Sequence, residues 1–137
     1  MILYRNFTEC EVRGHVMYKW VKGNSFNKIA TIYAGNITLN VPCIEHFQGA
    51  KWCLVGIDEG LKKVGIKVVT KEDLEKKTFP EDAMNKVSIG KSFVRICNKS
   101  IIKEISKTTK KRAEGEKFKV DYVAKDKILE IDLNSPI

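Results

Sequence analysis

The sequence predicts a β-rich α+β protein in which two tandem ββαββ half-barrels form one barrel, as an intramolecular pseudo-dimer. Three observations predict this class. Short segments alternate apolar and other residues, as half-buried strands do. Turns that contain Gly or Asp separate these segments, as in hairpins. The same order of segments also occurs twice within the 137 residues.

The internal repeat is the strongest of these observations. Residues 27–47, NKIATIYAGNITLNVPCIEHF, align with residues 85–105, NKVSIGKSFVRICNKSIIKEI. After a longer loop in the second copy, GAKWCLV (49–55) aligns with GEKFKVD (115–121). Each copy reads strand, turn, strand, short helix, loop, strand, turn, strand. A copy of about 45–50 residues would be only marginally stable alone, so the two copies are expected to share a core.

Residues outside the copies are predicted to extend and connect them. Residues 1–26 are expected to add an N-terminal strand that ends at Gly23, with Tyr18 and Trp20 on one surface of it. If that surface is open, it could bind a partner. Residues 70–84 are the predicted linker, with a helical turn or two from Thr70 and a break at Pro80.

Each copy is predicted to contain one short helix. In the first copy, 27–69, Asn40 is a suitable N-cap and Pro42 is tolerated in the first turn. Asn98 is the equivalent cap in the second copy, 85–137, which also contains a predicted basic loop over 106–116. Trp52 and Phe118 begin equivalent strands and are expected in the core.

The chain is basic, with a formal net charge of +8. Residues 1–85 contain 12 Lys and Arg against 10 Asp and Glu, whereas residues 86–137 contain 13 against 7. Most of the excess therefore belongs to the second copy. Such a charge favours polyanionic or acidic partners, although a basic chain can also simply be soluble.

Motifs for catalysis or metal binding are absent from the sequence. No two cysteines are spaced as C-x-x-C, and the two histidines complete no zinc pattern. Cys43, Cys53 and Cys97 lie among apolar residues and are expected to be buried free thiols. No nucleophile–base pair or phosphate-binding loop is evident. We therefore expect no enzyme, no metal and no cofactor.

The sequence shows neither a signal peptide nor an apolar segment of membrane-spanning length. These features predict a cytoplasmic protein with reduced cysteines and no membrane contact.

The stretch NKIATIYAGNITLNVPCIEHF, followed by the hairpin GAKWCLVGIDEGLKKVGIKV, resembles the AbrB/MazE/SpoVT group of swapped-hairpin domains. The resemblance covers residues 27–69 and, more weakly, 85–133. It departs from the family in two places: no acidic–Arg pair follows Pro42, and the second copy has no proline at that junction. Family members pair two chains into an intertwined barrel, so the resemblance implies that this chain does so with its own two copies. A double-psi-type barrel is the alternative fold.

The family binds DNA through basic side chains on the first hairpin of each copy. Carried over by position, the resemblance implies contacts from Lys28, Tyr33, Asn36, Lys86, Lys91 and Arg95. The charge pattern adds the predicted helix and loop of the second copy, with Lys99, Lys103, Lys107, Lys110, Lys111 and Arg112. Lysines neutralise phosphates without reading sequence, whereas Arg95 could pair with a guanine edge. The alternative for the loop is an ordinary solvated surface.

The sequence therefore leads to two hypotheses about the function of the protein. The first is a DNA-binding regulator of the AbrB or antitoxin type, sequence-tolerant or sequence-specific. The second is a small phage or mobile-element inhibitor that binds a host protein with an acidic or nucleic-acid-binding groove. The small, Lys-, Ile- and Asn-rich chain with an extra N-terminal segment favours the second. In either case the pseudo-dimer could itself form a homodimer.

Overall fold

The computed structural model describes residues 9–12, 16–21 and 27–137. Two short strands come first, β1 (Glu9–Val12) and β2 (Val16–Lys19). They are followed by β3 (Ile29–Ile32), β4 (Asn36–Asn40), α1 (Val41–Ile44), β5 (Trp52–Asp58), β6 (Lys63–Val69) and α2 (Lys71–Glu75). A 3₁₀ turn (Glu81–Ala83) precedes β7 (Asn85–Ile89), β8 (Phe93–Cys97), α3 (Lys99–Thr109), β9 (Glu116–Val123) and β10 (Ile128–Pro136).

Eight antiparallel strands close into a barrel in the order β10-β6-β5-β7-β8-β4-β3-β9, with β9 paired back to β10. The predicted β-rich α+β class is therefore confirmed. Hairpin β3–β4 pairs through β3 with β9, and hairpin β7–β8 pairs through β7 with β5. The strands β4 and β8 pair along their full lengths, and β6 pairs with β10.

Alternating residues of the strands fill the barrel. On β4, Ile37 and Leu39 are fully buried, and they lie opposite Ile96 and Val94 of β8. Each such side chain contributes about 1.5–3 kcal/mol through removal from water. The intervening residues of both strands face outward and include Asn36, Thr38 and Arg95.

The helices α1 and α3 leave the barrel at opposite ends. Helix α1 follows Asn40, which pairs with Phe93 at the start of β8, whereas α3 follows Cys97, which pairs with Asn36 at the start of β4. Each helical segment buries apolar residues against the core: Cys43 and Phe47 at one end, and Ile101, Ile102 and Ile105 at the other.

Of the two predicted N-cap residues, only Asn98 bonds to the amides of its own helix through its side chain. Asn98 caps α3 as predicted, since its Oδ1 accepts a hydrogen bond from the Ile101 amide at 3.2 Å. The prediction that Asn40 caps α1 through its side chain is wrong. Its Oδ1 instead accepts from the Ile29 amide at 2.9 Å, and its Nδ2 donates to the Asn27 carbonyl at 2.8 Å. Pro42 explains the difference, because it removes one of the amides that a cap would bind.

The predicted loop over 106–116 is wrong at both ends, because Glu116 already belongs to β9 and residues 106–109 continue α3 by about one turn, to Thr109. Burial of Ile105 holds this turn against the core. The hydroxyls of Thr108 and Thr109 donate to carbonyls four residues earlier. The helix ends where Lys110 adopts a left-handed conformation, with φ of 59°.

Helix α2 begins after Thr70, as predicted for the linker, and a capping box between Thr70 and Asp73 fixes its first turn. Residues before the barrel form two paired strands, not one, and the predicted strand end at Gly23 lies outside the described residues. Cys43, Cys53 and Phe118 are buried as predicted, whereas Trp52 is only half-buried. Cys97 is exposed, which corrects its predicted burial, because alternate residues of β8 face outward.

Within the described part of the chain, no helix is both long enough and apolar enough to cross a membrane.

Candidate nucleic-acid interface

Three lysines form a basic stripe on the outer face of α3. Lys99, Lys103 and Lys107 are exposed and lie on successive turns, because residues four apart share one face of a helix. The opposite face buries three isoleucines. The first turn is fixed by Asn98, whose Nδ2 also donates to Asn85 Oδ1 at 2.6 Å. The stripe is therefore presented by a rigidly seated helix.

The chain after α3 continues this basic surface. Lys110, Lys111 and Arg112 are exposed, and together with the stripe they form what we call the α3 surface. Residues 99–112 contain six Lys and Arg and a single carboxylate, Glu104. Glu104 lies 3.5 Å from the Lys107 ammonium. Among the described residues, the other five cations have no carboxylate within 4.0 Å.

A groove runs along the α3 surface beside the turn between β3 and β4. Ala34 from that turn lines it, together with Ile102 and Arg112. Tyr33 lies beside the loop that joins α3 to β9, and its side chain is 44% exposed. A Cβ at Gly115 would lie 3.5 Å from the Tyr33 ring, and Gly115 has a φ of +98°, so glycine permits this close approach. The predicted residue Tyr33 thus lies next to the α3 surface.

The outer sheet adjoining α3 carries two further predicted residues. Arg95 is exposed on β8 and lies between Thr38 of β4 and Ser88 of β7. Its guanidinium lies 4.6 Å from the centre of the Phe93 ring, a cation–π geometry that orients the side chain. Lys86 is exposed on β7. Arg95 is exposed between the short side chains of Thr38 and Ser88.

The predicted residues do not all meet on one surface. Asn36 is half-buried beside the α3 end of the barrel, and its Oδ1 accepts a hydrogen bond from Thr38. Lys28 lies at the other end, close enough to Cys43 and His46 to influence both electrostatically. Lys91 occupies the β7–β8 turn, which also lies at the α1 end. The barrel therefore separates Lys28 and Lys91 from the other predicted residues.

Sequence reasoning missed two exposed lysines on β9. Lys117 and Lys119 face outward, opposite Thr31 and Ile29 of β3. They extend the basic outer sheet, although Lys119 lies 4.0 Å from Asp121. The alternation of Lys with Phe118 and Val120 in EKFKVD was the pattern that could have identified them.

The buried thiols of Cys43 and Cys53 do not form a reactive site. Burial raises the pKa of Cys43 to about 11, and burial raises the pKa of Cys53 to about 12. Both are therefore protonated near neutral pH, whereas a nucleophile needs the thiolate. Cys43 Sγ also donates a long hydrogen bond of 3.5 Å to Asn40. Among the described residues, no group of three or more His, Cys, Asp or Glu could hold a metal ion.

His46 packs its ring against Tyr122 and buries one ring nitrogen. Its ring stacks on Tyr122 with centres 3.8 Å apart, and its Nε2 is buried without a hydrogen bond. Glu45 Oε1 lies 3.5 Å from that nitrogen, but it is mostly exposed and not aligned for a bond. Burial lowers the pKa of His46, the Lys28 charge lowers it further, and Glu45 opposes both.

This packing predicts a loss of stability in mild acid. Because the pKa of His46 is lower in the folded than in the unfolded chain, its contribution is complete above about pH 6.5 and is lost as the pH falls through the folded value. A His46→Phe variant keeps the stacking and should show a flatter profile. Urea unfolding of both proteins at pH 7.5, 6.5 and 5.5 measures the difference. If the unfolding free energies of the two proteins change with pH in parallel, His46 is not the cause of the loss.

Comparisons of the chain with protein-family models, curated protein sequences and solved structures gave no match. The AbrB-like resemblance therefore remains a hypothesis.

Proposed function

We propose that the protein is a DNA-binding regulator that holds the phosphate backbone with the α3 surface. The observation that carries this proposal is the lysine stripe on a capped helix whose other face is buried. Lysines on successive turns of a fixed helix can contact several phosphates together without reordering. Five of the six cations of this surface have no competing carboxylate among the described residues, so they are free to replace counterions on DNA.

Arg95 and Lys86 would widen the contact along the outer sheet. The planar Arg95 fork offers paired donors that suit a guanine edge in the major groove. Its neighbours Thr38 and Ser88 have short side chains, which would let a duplex approach the strand closely. Lys86 would then provide a phosphate contact beside it.

The proposal includes a swapped-hairpin architecture built from two copies in one chain. Its support comes first from the hairpin pairing, since β3–β4 joins the hairpin β9–β10 while β7–β8 joins β5–β6. Equivalent positions also share unusual features. Gly49 and Gly115 both have positive φ, and Lys62 and Lys127 both have φ of 55°. In both copies an asparagine before the helix donates to an asparagine thirteen residues earlier.

A mobility-shift titration at two salt concentrations tests the DNA-binding proposal. With a mixed-sequence duplex we expect a retained complex at 50 mM salt. If each of the six cations of the α3 surface contacts a phosphate, the affinity should be about 10³-fold lower at 200 mM, because each contact releases counterions. The absence of a complex at 50 mM would overturn the proposal, and so would an affinity that does not change with salt.

A second candidate function has one specific observation in its favour. The strand β2 and the residues after it expose Met17, Tyr18, Trp20 and Val21, with Val21 83% exposed. The Tyr18 and Trp20 ring centres lie 5.7 Å apart, which forms a small aromatic patch. Exposed apolar patches are typical of protein-binding surfaces. The protein would then be an inhibitor of a host nucleic-acid-processing protein.

A pull-down from nuclease-treated bacterial lysate distinguishes the two candidates. A host protein retained by the wild type but lost from a Tyr18→Ala, Trp20→Ala variant would favour the inhibitor. If every protein that is captured from untreated lysate is lost after nuclease treatment, the capture depended on nucleic acid, and the regulator is favoured.

A further inference from the structure

A compact cavity lies behind the C-terminal end of α3. It encloses about 150 Å³ between this helix, the start of β9 and the end of β10. Its floor consists of Ile32, Ile105, Phe118 and Leu133, all of which belong to the buried core. An apolar cavity of roughly this volume is large enough for a benzene-sized group.

The rim of the cavity is cationic. Lys62 reaches it from the β5–β6 turn, and Lys111 and Arg112 reach it from the chain after α3. Among the described residues, none of these three has a carboxylate within 4.0 Å. One carboxylate, that of Glu116, also lines the cavity, but its Oε2 accepts a hydrogen bond from the Glu114 amide at 2.9 Å. The rim therefore keeps an excess of positive charge.

The backbone around the rim is well anchored. The Lys62 carbonyl accepts a hydrogen bond from the Leu133 amide at 3.0 Å, which joins the β5–β6 turn to β10. Asn134 Nδ2 donates to the Leu61 carbonyl at 3.0 Å across the same contact. Thr109 also lines the cavity, and its hydroxyl already donates a hydrogen bond to the Ile105 carbonyl. These bonds preform the cavity, and preformed sites bind with a smaller entropic cost.

We propose that this cavity binds a compact organic anion, a carboxylate attached to a ring-sized or branched short apolar body. The apolar body would lie on the floor, and the carboxylate would meet the Arg112 fork, which can bind it through two hydrogen bonds. A sugar phosphate lacks the apolar body that the floor suits, and a long acyl chain exceeds the volume. The cavity shares Lys111 and Arg112 with the α3 surface but contains none of the three stripe lysines, and this inference does not depend on DNA binding.

Benzoate is a suitable probe because it combines one ring with one carboxylate. We expect a dissociation constant of about 0.1–1 mM, reasonable for a ligand of so few atoms. Methyl NMR should show shifts at Ile32, Ile105 and Leu133 that saturate with benzoate. Benzyl alcohol, which keeps the ring, and acetate, which keeps the charge, should each bind about tenfold more weakly or worse.

Two substitutions separate the roles of floor and rim. Arg112→Gln should weaken benzoate binding by about tenfold while retaining the benzyl alcohol signal. Ala113→Leu, which adds volume at the cavity wall, should weaken both ligands. The matched control is Lys103→Gln, which removes one charge from the adjoining helix α3 at a position outside the cavity, and it should leave the benzoate affinity within twofold. Amide spectra check that each variant is folded.

Several results would overturn the inference. One is the absence of saturable methyl shifts with 10 mM benzoate in the folded wild type. Another is equal binding of benzoate and acetate, which would indicate surface charge alone. A third is an equal loss of benzoate affinity in the Lys103→Gln and Arg112→Gln variants. None of these results bears on the mobility-shift titration, so the two proposals fail separately.

Discussion

Replacement of Lys99, Lys103 and Lys107 by glutamine is expected to weaken DNA binding by about 100-fold near 0.1 M salt. Each lost phosphate contact removes about 0.9 from the slope of log affinity against log salt, so the three together should lower its magnitude by about 2.7. Glutamine is nearly as good a helix former as lysine, and these side chains are exposed, so α3 should remain intact. A titration at four salt concentrations gives both the affinity and the slope.

A matched control removes the same charge elsewhere. Lys71, Lys77 and Lys125 are exposed, and they lie in α2, just after it, and in the β9–β10 turn. Their replacement by glutamine changes the net charge equally, and should reduce affinity only a few-fold because distant charges are screened. Equal losses in the two triple variants would show that overall charge, not the α3 surface, determines binding. An unchanged slope in the stripe variant would contradict the proposed phosphate contacts.

Much of the fold could be predicted because the alternation of apolar and polar residues indicates which side of a strand is buried. The segment NITLN is an example, with Ile37 and Leu39 inside and the asparagines and threonine half-buried. The end of α3 was harder to predict, because SKTTKKR contains no apolar residue that would continue the helical period. Cys97 was misplaced for a similar reason. Its apolar neighbour Ile96 suggested a buried environment, but the phase of β8 points Cys97 outward.

The candidate site could be predicted only as a set of residues. Charge identified the lysines of α3, but nothing local in the sequence indicates which turn lies at which end of the barrel. That depends on the pairing of β4 with β8, which brings Tyr33 toward α3 and places Lys91 near α1. The role of Asn40 was likewise hidden, because it depends on the Ile29 amide eleven residues earlier. Such distant pairings follow from the whole barrel and not from any short segment.

Cutting the chain within its linker is expected to leave the two halves in one complex. The proposed swap places the ladders β3–β9, β7–β5, β4–β8 and β10–β6 between residues 27–69 and residues 85–137. A protease site inserted at Lys77–Thr78, an exposed position after α2, allows the cut without touching a strand. The cut protein should elute at the mass of the intact chain and separate only in denaturant.

Dilution makes this test sharper. Once cut, the protein folds by association, so its stability should depend on concentration. A hundredfold dilution should lower the free energy of unfolding by about 2.7 kcal/mol, while the intact chain should not change. Urea midpoints at 100 and 1 μM measure this. If the cut halves separate as folded units, or if dilution leaves the midpoint unchanged, each half holds its own core. The swap would then be wrong, because independent halves have no need of the strand pairs that join them.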